Sequence, residues 1–170
     1  MISVKNLFKT FNGFQAVSDL SFDITPGDVV GFLGPNGAGK STTMKMLTGF
    51  LLPTSGDIHI TNLSLEQSAL DIKKKIGYLP EGAPAYGDMT PLQFLNFIAQ
   101  IRGYKGAEKA SRIEQVVKQV ELNEVLDKPI DNLSKGFKRR VGLAQALIHD
   151  PEILILDEPT DGLDPNQKHQ

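Results

Sequence analysis

Nine consecutive residues hold the clearest chemistry in the sequence: Gly34-Pro35-Asn36-Gly37-Ala38-Gly39-Lys40-Ser41-Thr42. Their spacing fits G-x-x-x-x-G-K-[ST], with an apolar strand-like run before it, Val29 to Leu33, and a helix-like run after it, Thr42 to Phe50. The glycines permit backbone angles that a Cβ forbids and let the chain come close to a ligand. Successive N–H groups of such a loop point inward as an anion nest. A helix starting near Gly39 adds its partial positive charge and its unpaired N–H donors. Lys40 is then expected to reach the β- and γ-phosphates of a nucleoside triphosphate, Ser41 to place its hydroxyl on Mg²⁺, and Thr42 to donate to the α-phosphate. A glycine-rich turn with a helix cap would explain the glycines, but not a lysine and a hydroxyl at the required positions.

Ile153-Leu154-Ile155-Leu156-Asp157-Glu158 is the second constellation, an apolar strand ending in two carboxylates. A strand end of this kind suits a site beside bound phosphates. Asp157 is expected to hold Mg²⁺, directly or through water, and Glu158 to orient or deprotonate an attacking water. General-base placement is typically worth about 10²–10⁴ in rate. A strand ending in a solvated acidic turn is the alternative, and the phosphate loop weighs against it. The third constellation, Leu133-Ser134-Lys135-Gly136-Phe137, puts a Ser and a Gly at a helix start, either an ordinary Ser N-cap or a second anion-binding corner.

The elements that must position these residues follow from periodicity. Ile2 to Leu7 and Leu20 to Ile24 read as strands, Pro26-Gly27-Asp28 as a turn, and Val29 to Leu33 as a buried strand entering the loop. Asp57 to Ile60 and Ile76 to Leu79 read as further strands. Thr90-Pro91-Leu92-Gln93 has the N-cap Thr, first-turn Pro and third-position Gln of a helix start, and Gly103 is the expected stop. Ile113, Val116, Val117 and Val120 mark a second helix; Phe137, Val141, Ala144 and Ile148 mark a third, stopped by Asp150-Pro151. Ile153 to Leu156 reads as a central parallel strand buried on both faces. The expected fold is α/β, one domain with a β-rich edge and a helical subdomain inserted at about 82–147.

Composition narrows the class. The chain has 170 residues, 40% hydrophobic and 22% charged, enough for one domain with a real core. The net charge of −2 argues against a nucleic-acid partner, and Lys73-Lys74-Lys75 and Lys138-Arg139-Arg140 read as solvated helix faces. The absence of cysteine excludes disulfides and thiolate chemistry. The N-terminus lacks an apolar signal core and no run is long enough to span a bilayer, so a soluble, cytoplasmic chain is expected.

Together these motifs resemble the nucleotide-binding subunit of an ATP-binding cassette (ABC) transporter, through nearly the whole chain. Gly34 to Thr42 match the Walker A motif, Ile153 to Glu158 Walker B, Leu133 to Phe137 the signature motif L-S-G-G-Q, Arg140 the arginine after it, and Gly162-Leu163-Asp164 the D-loop. Phe11 lies where the family stacks an aromatic on adenine, and Glu81 where most members have the Q-loop glutamine. Lys135 stands at the first signature glycine and Phe137 at the glutamine, while Ser134 and Gly136 are kept. The resemblance implies a P-loop NTPase core with an antiparallel β subdomain and an inserted helical subdomain. It further implies ATP and Mg²⁺ as cofactors, with Ser41, Asp157 and Glu81 around the metal and Glu158, Lys40 and Glu81 in catalysis.

It also implies a head-to-tail dimer, with Ser134 and Gly136 of one subunit closing on the γ-phosphate held by the other. The partner would be a separate membrane permease, with this subunit peripheral on the inner face of the membrane. Y-L-P-E with L-S-K-G resembles bacterial exporters of the drug-resistance and gliding-motility type. Gly82 to Met89 is the candidate permease contact, with an ordinary surface loop as the alternative. None of His59, His149 and His169 matches the family's switch histidine, so the chain is expected to be truncated at its C-terminus. Two other readings stay open: a nucleotide-binding module with little turnover, and a non-transport ABC ATPase. The second is disfavoured by the lack of a second cassette or a long coiled coil.

Overall fold

The computed structural model describes residues 1–82 and 85–158. The chain divides into two compact units, Met1–Lys74 and Lys75–Gln170.

The first unit is built on a four-stranded antiparallel sheet of β1 (Ile2–Phe11), β2 (Phe14–Ile24), β3 (Ser55–Ile60) and β4 (Leu63–Ser64), in the order β2-β1-β3-β4. Asn12 and Gly13 join β1 to β2 with φ of 44° and 87°, the double positive φ of a tight hairpin turn that matches strand twist. Ile2 and Val4 of β1 and Ile58 and Ile60 of β3 are buried at alternate positions, as one inward face requires. A register shift after Val4, with Asn6 at φ 46°, breaks that alternation and turns Leu7 inward instead. Two helices complete the unit: α1 (Lys40–Leu47) and α2 (Leu65–Lys75).

The second unit begins with β5 (Ile76–Leu79), continues through α3 (Pro91–Ile101), α4 (Gly106–Gln119) and α5 (Lys135–Leu147), and reaches β6 (Ile153–Leu156). β5 and β6 pair in parallel. The expected start of α3 forms as a full capping box: the Gln93 N–H donates to the Thr90 hydroxyl, and the Thr90 N–H to the Gln93 side chain. At its other end Gly103 takes φ 92°, and the Gly103 and Tyr104 N–H groups donate to the Gln100 and Ala99 carbonyls. Phe94, Leu95 and Ala99 of α3, Ile113, Val116 and Val117 of α4 and Val141 and Ala144 of α5 form one apolar core. The other side of α5 packs on the sheet, with Ala146 against Leu79. The approach is close: a Cβ on Gly77 would stand 2.3 Å from the Ala146 carbonyl oxygen.

Two expected strands differ. Val29 to Leu33 carries no strand pairing among the described residues, and Val29 and Leu33 are 101% and 93% exposed. The run has strand-type side chains, but a strand exists only through a hydrogen-bonded neighbour, and here none is present. The turn before it forms as expected: the Asp28 N–H donates to the Thr25 carbonyl, and Thr25 N and Oγ1 donate to Asp28 Oδ2, which lowers the Asp28 carboxyl pKa. β6 is parallel as expected, yet Leu154 is exposed, because β5 covers only one edge of the strand and the sheet has two strands among the described residues.

Candidate functional site

In the first unit the phosphate-loop residues form a tight lead into α1. Gly37 and Gly39 have φ of 83° and 85°, and Gly39 is the N-cap of α1. A Cβ on Gly39 would lie 2.3 Å from the Ala16 carbonyl oxygen and 3.0 Å from Val17 Cγ2, so β2 presses directly on the helix start. The buried Thr43 fastens the first turn from inside, its N–H and hydroxyl donating to the Gly39 carbonyl at 2.8 and 2.9 Å. Gly34, Pro35, Asn36, Gly37 and Ala38 are exposed, while Ser41 and Thr42 are half-buried on the first turn. Lys40 folds back over the loop, its Nζ donating to the Gly34 and Pro35 carbonyls at 2.8 and 2.9 Å. An ammonium group, a row of exposed loop residues and a helix N-terminus therefore meet at one turn, an arrangement whose chemistry suits an anion. Phe11 ends β1 beside the hairpin turn, 43% exposed, with Lys9 Nζ 5.0 Å from its ring centroid.

In the second unit the parallel register does the gathering. Leu79 stands opposite Leu156, so Glu81, Asp157 and Glu158 all leave the same end of the β5–β6 pair. Asp157 is 5% exposed and its N–H donates to the Leu79 carbonyl at 2.9 Å; Glu81 and Glu158 are exposed. Tyr78 senses this edge: burial, then the charges of Asp157 and Glu81, push its phenol pKa up. Glu158 takes φ 50°, a left-handed conformation that costs a non-glycine residue about 1–2 kcal/mol.

Ser134 is the N-cap of α5, accepting from the Phe137 N–H at 3.3 Å, and Gly136 follows in the first turn. Arg140 pairs with the Glu121 carboxylate at 2.9 Å and lies over the Phe137 ring. In the segment after Glu81, Tyr86 is exposed and packs edge-on against Phe94 and Phe97; Ala83 and Pro84 lie outside the described residues. So do the D-loop match Gly162-Leu163-Asp164 and His169. His59 is exposed in β3, and His149 sits beyond α5 with Nε2 3.0 Å from the Ile76 carbonyl.

The basic run Lys138-Arg139-Arg140 is not uniformly solvated. Arg139 is buried, and its guanidinium donates to the Asp157 main-chain carbonyl at 2.6 Å. The signal was present in the spacing: Arg139 lies three and seven residues before Gly142 and Ala146, which puts it on the face of α5 that meets the sheet.

A glycine loop feeding a helix, with a parallel strand pair ending in carboxylates, defines a P-loop nucleotide-binding protein of the α/β class. The family model described as ABC transporter matches residues 17–161, and the chain belongs to that family. It is 41% identical over 170 residues to the uncharacterized ABC transporter ATP-binding protein YxlF of Bacillus subtilis, covering 100% of this chain and 56% of that one. It is 39% identical over 165 residues to the bacitracin transport ATP-binding protein BcrA of Bacillus licheniformis, covering 97% of this chain and 53% of the relative. The chain thus spans about half the length of these relatives. A dimeric ATP-binding cassette, MJ0796, solved in a post-hydrolysis state with ADP and Pi, superposes with a TM-score of 0.89 at 27% identity, over 99% of this chain and 78% of that one.

Proposed function

We propose that this chain is the ATP-binding and ATP-hydrolysing part of a bacterial exporter, driving transport through a separate membrane permease. The observation that carries the reading is the Gly34–Thr42 loop, exposed and crowned by Lys40 Nζ, in a chain of the ABC transporter family. Lys40 exchanges the Gly34 and Pro35 carbonyls for the β- and γ-phosphates, and the loop N–H groups take the remaining oxygens. Phe11, 43% exposed, stacks on the base. Glu158 holds the attacking water and accepts its proton. Ser134 and Gly136 of a second copy close on the γ-phosphate.

Mg²⁺ fits the donors available: the Ser41 hydroxyl and the carboxylates of Asp157 and Glu81 are hard oxygen ligands. Among the described residues no group of three or more His, Cys, Asp or Glu converges. Mg²⁺ keeps several waters and shares its shell with phosphate. When bound, the ion neutralises charge on the phosphates. Among the described residues no helix is long and apolar enough to cross a membrane. In this reading a separate permease supplies the span and this chain lies on its cytoplasmic side. The segment from Gly82 to Met89 is the proposed contact.

Phosphate release with ATP and Mg²⁺ tests the reading. The protein turns ATP over, and Glu158→Gln lowers kcat by about 10²-fold or more while ATP affinity stays within a few-fold. Equal turnover in both proteins refutes the role of Glu158. Tight ATP binding without turnover in either leaves a nucleotide-binding module.

A further inference from the structure

We propose that Arg139 is a positioning residue for Glu158: from α5 it clamps the peptide joining Asp157 to Glu158 and so sets the direction in which the Glu158 carboxylate leaves the strand. Both main-chain groups of Asp157 are held. Its N–H donates to the Leu79 carbonyl at 2.9 Å, and its carbonyl accepts from the Arg139 guanidinium at 2.6 Å. That carbonyl belongs to the peptide whose other end is the Glu158 nitrogen, so the bond fixes the plane from which Glu158 departs at φ 50°. A left-handed glutamate is held only where its surroundings over-determine it. Glu158 is exposed, and the peptide that precedes it is held at the Asp157 carbonyl, so a constraint reaches it through the backbone.

Arg139 is 6% exposed, an unusual place for a guanidinium without a task, and its charge strengthens the bond it gives. It lies seven residues before Ala146, on the α5 face that packs on β5, where Gly77 comes so close that a Cβ would stand 2.3 Å from the Ala146 carbonyl oxygen. Because Ser134 caps the same helix about one turn earlier, the clamp links the signature serine to Glu158 through a single rigid element. The consequence for turnover rests on the ATPase reading; the clamp itself does not.

The test uses Arg139→Gln and the volume-matched, donor-free Arg139→Met, with Arg139→Lys as the conservative variant. Residue-resolved amide exchange is read at Glu158 and, as an internal reference, at Val141 and Ala144 of α5. Loss of the clamp is expected to speed exchange at Glu158 by about ten-fold or more and leave the two reference amides unchanged. It is expected to lower kcat about ten-fold with KM for ATP within about three-fold, and Arg139→Lys is expected to recover part of kcat. If Arg139→Gln fails to fold, Arg139→Met decides on the same readings. Unchanged exchange at Glu158, or a fall in kcat that only follows lost ATP affinity or lost thermal stability, overturns the proposal. Altered exchange at Glu158 in a protein that hydrolyses no ATP upholds the clamp and rejects the ATPase reading instead.

Discussion

Replacing Gly39 with alanine should cost more than the same change at Gly37, although the two glycines share one loop and nearly one φ, 85° and 83°. At Gly37 an added Cβ meets nothing within 4 Å, so only backbone strain remains, about 1–2 kcal/mol for a left-handed alanine. At Gly39 the same strain applies, and the Cβ would also stand 2.3 Å from the Ala16 carbonyl oxygen and 3.0 Å from Val17 Cγ2. A main-chain oxygen cannot swing aside, so either β2 or the start of α1 must move. Overpacking of this kind costs about 1–3 kcal/mol, giving about 2–5 kcal/mol for Gly39→Ala in total. At roughly 2–4 °C per kcal/mol, Tm should fall by at least about 4 °C for Gly39→Ala and by no more than about 8 °C for Gly37→Ala, with Gly39→Ala always the lower. Thermal unfolding with and without ATP reads both effects. Under the proposed function both variants should also gain less from ATP, because each disturbs the loop N–H groups assigned to phosphate there. A Gly39→Ala protein as stable as Gly37→Ala would refute the close approach of β2 to the loop.

Two further outcomes follow from the second unit. Ser134→Ala removes a cap bond of 3.3 Å and should cost about 0.5–1 kcal/mol in denaturant unfolding, yet lower ATP turnover about ten-fold or more if the hydroxyl meets the γ-phosphate of a partner; turnover that follows stability alone would leave Ser134 a cap. Burial, then the nearby Arg102, depress the His149 pKa below 6.5, against a bond to the Ile76 carbonyl that raises it. The folded state therefore favours neutral imidazole, and stability should be full above about pH 6.5 and fall as pH drops through the folded pKa, since the unfolded chain then binds more protons. His149→Gln should flatten that fall in urea titrations between neutral and acidic pH; an unchanged slope would exclude His149 as its source.

Much of the site was legible because its signals are local. The loop from Gly34 to Thr42 dictates its own turn and helix start, and Thr90 with Gln93 dictates the entry of α3. Ile76–Leu79 and Ile153–Leu156 read as strands in the sequence, and their parallel pairing brings Glu81, Asp157 and Glu158 out at one end of the pair. What escaped depends on neighbours. Val29 to Leu33 has the side chains of a buried strand but pairs with no strand among the described residues, where its ends stand exposed. Arg139 looked like one charge in a basic run, and only the face it shares with Gly142 and Ala146 reveals it as buried. Of α2 only the Lys73-Lys74-Lys75 end reads as a helix face in the sequence, because only Leu65 and Ile72 are buried along the helix and the non-helical Ser68 breaks its period. Asn12-Gly13 is the strongest short hairpin signal in the sequence, and the turn it forms puts Phe11 at the tip of β1.

The central claim is that two copies share ATP between the Gly34–Thr42 loop of one and the Ser134 corner of the other. Light scattering coupled to gel filtration of Glu158→Gln, run with and without ATP and Mg²⁺, tests it most directly. The expected result is a monomer without nucleotide and a stable dimer with ATP, reverted by Ser134→Arg, which would fill the corner; a monomer under both conditions would contradict the shared site.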